Sequence, residues 1–283
     1  MRSCFTLFLL SALALNAADD LAQARSLIAA KRVPEARPLL EALVVASPGD
    51  VDALLLLGEC QAKMQQPEAS LATLEKAATL APKRADVANA YGRLCLEQAG
   101  KERSLSLIKK GRSQLERALE LDPKMVEPRL ALITFFSAAP WFAGGSMDKA
   151  YAQVEALEKL DAKLALVMKV SLMNKEKKYE EALAVLDGYL KQNADDYTAN
   201  YEFGRAVSQS GKRSPEGLAA LRKCLTLTPP KGSPGHDGVH YRMGLIFQNT
   251  KDYSSARAEL DEALKSDPKN RQFIEARAKL PAP

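Results

Sequence analysis

The 283-residue chain holds two histidines, one tryptophan and four cysteines, and only 6% of it is aromatic. Two histidines leave little material for imidazole catalysis or a His-rich metal site. Sparse aromatics and scarce β-branched runs exclude many-stranded sandwiches and barrels, whose strands are built from those residues. An excess of one charge is missing too. Forty Lys and Arg face 35 Asp and Glu, a net +5, with no run of like sign, so no nucleic-acid partner is expected. No Ser/His/Asp or Cys/His set can be assembled, so neither a catalytic residue nor a cofactor is expected. What is plentiful is Ala, Leu and long-chain helix formers, with 47% of residues apolar and 27% charged. That balance fits a folded, all-α protein.

The first eighteen residues differ from the rest. Arg2 is their only charge, Phe5 to Leu15 is a short apolar run, and Asn16-Ala17-Ala18 leads into Asp19-Asp20. A basic start, a short apolar core and small exit residues form the pattern of a secretory signal peptide. The run is shorter than the roughly 20 residues that span a bilayer. Residues 1–18 are therefore expected to be removed after Ala17 or Ala18, leaving an exported protein of the periplasm or cell envelope. Cys4 precedes the apolar run, so no lipid anchor is expected. Later segments are too polar to span, and the mature chain should lack a transmembrane segment.

The remainder repeats. A small residue is followed by a large apolar one four later, a small one three after that, and Pro five after that. The phrase reads Ala36, Leu40, Leu43, Pro48, then Ser70, Leu74, Ala77, Pro82, then Gly111, Leu115, Ala118, Pro123. It returns as Gly217, Leu221, Cys224, Pro229 and as Ala256, Leu260, Ala263, Pro268. Copies beginning at Ala150 and Ala182 replace Pro by Ala162 and Ala194. A second phrase, large then Gly, precedes several copies: Leu57-Gly58, Tyr91-Gly92, Phe203-Gly204 and Met243-Gly244. Gly costs a helix about 1 kcal/mol relative to Ala, so its recurrence predicts a close crossing by a second helix. Pro ends that second helix.

These phrases resemble the tetratricopeptide repeat family, a helix-turn-helix unit of about 34 residues. The resemblance implies a right-handed superhelical solenoid of about seven repeats over residues 19–270, in units 17–50, 51–84, 85–125, 126–162, 163–196, 197–230 and 237–270. Residues 271–283 read as a capping helix and tail. It also implies that first helices line an inner surface suited to a peptide or protein segment. The family's positions fall here on Asp52, Leu55 and Glu59; Asp86, Asn89 and Arg93; Leu130 and Thr134; Val167 and Ser171; Tyr201 and Arg205; Tyr241 and Leu245. Of these, Glu59, Asn89, Arg93, Thr134, Tyr201, Arg205 and Tyr241 are the candidate contacts. The clamp of Lys and Asn that some members use for a terminal carboxylate is absent: the matching pairs are Leu55/Glu59, Asn89/Arg93 and Tyr201/Arg205. The expected function is a non-enzymatic interaction scaffold. The alternative is a small-molecule-binding or transporter accessory protein with its ligand near Trp141.

Three insertions interrupt the pattern. Polar residues around Ala99 to Ile108 predict two lengthened helices. The segment Pro229 to Gly235 predicts a rigid turn. Between Ser137 and Ser146, Trp141 and Phe142 either fold back on the core or stand exposed as a partner contact. Ser146 after Gly144-Gly145 predicts a helix cap, with an anion site on free backbone N–H groups as the alternative. His236 and His240 lie four apart, but His236 is expected in a Gly/Pro loop, and no metal site is expected. Cys60 and Cys95 fall on neighbouring first helices, leaving a bridge between them open.

Overall fold

The computed structural model describes residues 18–282, so the expected signal peptide lies almost wholly outside the described residues. Among them there are helices and connecting turns, with no strand. The chain divides into two compact units, Met1–Gln153 and Val154–Pro283.

The first unit contains α1 (18–29), α2 (Val33–Ala46), α3 (Val51–Lys63), α4 (Pro67–Leu80), α5 (Ala85–Glu102), α6 (Leu105–Leu121) and α7 (Glu127–Ala138). A 3-10 turn, Trp141–Ala143, precedes the start of α8 (Met147–Glu158). Each helix packs on the next along α2 to α7, and the first helices α3, α5 and α7 also touch one another in series. The second unit follows the same rule with α9 (Ala162–Lys175), α10 (Tyr179–Leu190), α11 (Tyr197–Ser210), α12 (Ser214–Leu225), α13 (His236–Asn249) and α14 (Tyr253–Ser266). A final helix, α15 (Arg271–Ala278), lies on α14 and buries Phe273 and Ala276. The architecture is an all-α solenoid of helix pairs.

Local chemistry sets the boundaries. Asp50, Asp161, Asp196 and Asp252 each accept a hydrogen bond from the backbone N–H three residues on, closing the N-termini of α3, α9, α11 and α14. Pro48, Pro82, Pro123 and Pro268 each stand two residues beyond a helix end, where a ring that cannot donate a hydrogen bond stops the helix without straining it. The polar insertion of the third pair lengthens both its helices, to 18 and 17 residues.

The recurring small residues lie where helices cross. A Cβ at Gly92 would sit 2.9 Å from the Gly111 carbonyl oxygen, and one at Gly111 would sit 2.8 Å from that of Gly92. At Gly58 it would meet Leu74 at 2.6 Å, and at Gly204 it would meet Leu221 at 2.3 Å. Ser70 fills the small position of its repeat and donates its hydroxyl to the Gly58 carbonyl at 2.6 Å. Leu40, Leu74, Leu115, Leu186, Leu221 and Leu260, the large residues of the repeated phrase, are all buried.

These contacts give opposite expectations for two Gly→Ala changes. Gly92→Ala places a methyl against backbone that cannot rotate away and should lower stability by about 1–3 kcal/mol. Gly188, on α10, has open space where its Cβ would be, so Gly188→Ala should raise stability by about 0.5–1 kcal/mol. Thermal melts followed by circular dichroism read both.

Candidate inner-face binding site

In the first unit the candidate face is built from α3, α5 and α7. Glu59 is half-buried, and burial raises its carboxyl pKa above the usual range while Lys63 and Arg93 oppose the shift. Asn89 is buried and its Oδ1 accepts no hydrogen bond. Arg93 and Thr134 are exposed. Asp52 is tied to Arg84 at 2.8 Å.

In the second unit the face runs over α9, α11 and α13. Tyr201 is buried beneath α13, close to Gly238, so it supports the face from below and offers little surface. Arg205 is an ion-pair partner of Glu202 at 2.8 Å. Glu202 is buried; that burial raises its carboxyl pKa, and Arg205 and Arg242 pull it back down. Tyr241 is half-buried, with the Arg242 guanidinium 5.2 Å from its ring centre. Beside the expected residues stand three that the sequence reading did not select. They are Glu202 and Arg242, each one step past a chosen tyrosine, and Asn174, one turn past Ser171. Both amide atoms of Asn174 are buried without a partner, as are the Nε atoms of Arg205 and Arg242.

The Trp141 loop is held by its own backbone. The N–H groups of Gly144, Gly145 and Ser146 donate to the carbonyls of Trp141, Pro140 and Phe136, which removes the donors an anion site would use. The Ser146 hydroxyl accepts from Lys149 N–H at 3.3 Å, as a cap does. Trp141 is 84% exposed, edge-on to Phe142 at 6.0 Å.

His236 is the first residue of α13, a correction to its expected place in a loop: Gly235 ends the turn and the helix begins at once. Its Nε2 lies 3.0 Å from the Leu227 carbonyl, whereas His240 Nδ1 pairs with Glu259 at 2.7 Å. The two rings thus bond to different groups. Cys60, Cys95 and Cys224 are free and buried, and burial pushes the Cys95 and Cys224 thiols up to about 11 and about 12.

Helix pairs closed by a small-residue crossing, stacked so that first helices touch in series, define a helical repeat protein. Residues 27–94 match one tetratricopeptide repeat family and residues 238–270 another. The chain carries tetratricopeptide repeats in these two stretches. Over 103 residues it is 34% identical to Hsp70-Hsp90 organizing protein 3 of Arabidopsis thaliana, a match covering 36% of this chain and spanning only 17% of that relative's length. Its fold is similar to a tetratricopeptide repeat protein from Parabacteroides merdae, with a TM-score of 0.65 and 13% identity over 93% of this chain and 97% of that one. It is likewise similar to the C-terminal part of a repeat protein from Cytophaga hutchinsonii, with a TM-score of 0.58 and 14% identity over 90% and 98% of the two chains. Among the described residues no helix is long and apolar enough to cross a membrane. The repeats point to protein partners.

Two measurements test this description. The hydrogen bond from Glu259 raises the His240 pKa above its ordinary 6.5, so the pair stabilises the fold fully below about pH 6.5 and loses that contribution as pH climbs through the raised value. Melting temperatures at pH 6 and pH 8 should therefore diverge more in the native protein than in His240→Gln. Trp141→Ala removes a ring standing mostly in solvent, and its melting temperature should change by no more than about 0.5 kcal/mol implies.

Proposed function

We propose that the protein is a non-enzymatic scaffold or adaptor of the periplasm or cell envelope that holds a peptide or protein segment along the inner face of its first helices. The observation that carries this reading is the set of buried polar atoms left without partners there: Asn89 Oδ1, both amide atoms of Asn174, and the Nε atoms of Arg205 and Arg242. Each such group costs about 1–3 kcal/mol when unsatisfied. A peptide backbone offers donors and acceptors at regular spacing and would engage several of these side chains once they turn outward. Trp141 and Phe142 add an exposed aromatic anchor on the first unit. A small ligand at that loop would need enclosing walls, and a ring 84% exposed does not provide them. Export rests on the basic, apolar and small-residue order of residues 1–18.

A peptide library displayed on phage, panned against the full chain, should enrich binders. Asn174→Ala and Arg205→Ala should weaken them at least about tenfold, or 1.4 kcal/mol each, and Gly188→Ala should leave them unchanged. Failure to enrich any peptide, or binding indifferent to every inner-face change, would sink the groove reading. N-terminal sequencing of protein recovered from the periplasm of a secreting host should begin at Ala18 or Asp19. A chain that still begins at Met1 would overturn the export reading.

A further inference from the structure

Between α13 and the cap helix α15 lies an open cavity of about 740 Å³, within the range that holds a ligand or a peptide side-chain cluster. Its lining includes Tyr241 and Arg242 of α13, Lys251 of the following turn, and Gln272, Glu275 and Lys279 from the cap. Three cations thus face one carboxylate, and Glu275 is already within 3.8 Å of Arg271.

Arg242 is the singular group. Its guanidinium stacks over Tyr241, its Nε is buried without a hydrogen-bond partner, and among the described residues no ion pair holds it. The neighbouring Glu202 carboxylate is shared, engaged by Arg205 at 2.8 Å and acted on through space by Arg242, so it offsets only one of the two positive charges. Within this cluster one positive charge is left over, on a planar fork that matches a carboxylate in bidentate fashion. Lys251 and Lys279 extend the field along the cavity.

We infer that this cavity seats an acidic stretch of the peptide partner, with a Glu or Asp side-chain carboxylate on the Arg242 guanidinium. The inference rests on the inner-face reading above. It goes further by naming the partner's chemistry: side-chain carboxylates in mid-chain, flanked by backbone that reaches over α11 toward the unpaired Asn174 amide. Helix α11 packs on both α9 and α13, which makes that route continuous within the second unit.

The test uses the full chain and a fluorescein-labelled decapeptide of Glu and Ala with an amidated C-terminus, read by fluorescence anisotropy at low salt. The expected result is saturable binding that weakens at least tenfold when Gln replaces every Glu, and, for the Glu peptide, at least tenfold with Arg242→Ala. The double change Lys251→Gln with Lys279→Gln should weaken it severalfold and serves if Arg242→Ala melts early. Lys191→Gln, an exposed lysine of the same unit, should leave binding unchanged. Equal binding of the Gln peptide would overturn the inference. So would binding that needs a free C-terminal carboxylate, or Arg242-dependent binding of inorganic phosphate without binding of the peptide. Library peptides that bind the inner face yet are neutral and indifferent to Arg242→Ala would defeat this inference alone. Absence of any peptide binder would defeat the scaffold reading with it.

Discussion

The structure depends on how closely two helices can cross. At Gly92 and Gly111 each backbone carbonyl occupies the space a methyl group would need, so the third pair closes backbone to backbone. The same approach recurs at Gly58 and Gly204 against leucine side chains. Once a pair is drawn this tight, its large residues seat directly on the glycines of the facing helix. Leu74, Leu115 and Leu221 are buried accordingly. Stability is then shared between neighbours, as in other linear repeats.

That shared stability is what lets the inner face be imperfect. Asn89, Asn174, Arg205 and Arg242 leave polar atoms unsatisfied away from water, a combined cost that would be severe for a small independent domain. The second unit concentrates this around one charge cluster. Glu202 is held by Arg205, and burial raises its carboxyl pKa.

Most of the fold was legible in the residues because the repeat writes the same contact several times. The small residue, the large one four later and the proline beyond report a crossing, a buried seam and a helix end. The site was less legible, for reasons of geometry. Tyr201 and Tyr241 were identifiable as first-helix residues, yet one step along a helix turns the side chain by 100°, which still leaves Glu202 and Arg242 on the same broad face. The cavity draws its cations from a helix, a turn and a cap whose members run from Arg242 to Lys279 in sequence, and no local spacing announces such a meeting. Burial likewise separated Tyr201 from Arg93, two residues that looked alike as candidate contacts. The histidine pair failed as a unit because each imidazole faces a different neighbour, Leu227 for one and Glu259 for the other.

The three interior thiols bear on the chain's early life. Folded, Cys60, Cys95 and Cys224 are sealed and held protonated by burial, so an oxidant meets little thiolate to attack. Unfolded, the same three thiols are free to mispair. Contacts between adjacent helices are local, and chains rich in local contacts fold quickly. A modular backbone of this kind conceals Cys60 and Cys95 as each helix pair docks on the one before it, so an oxidising compartment would be tolerable to it without a disulfide among these three.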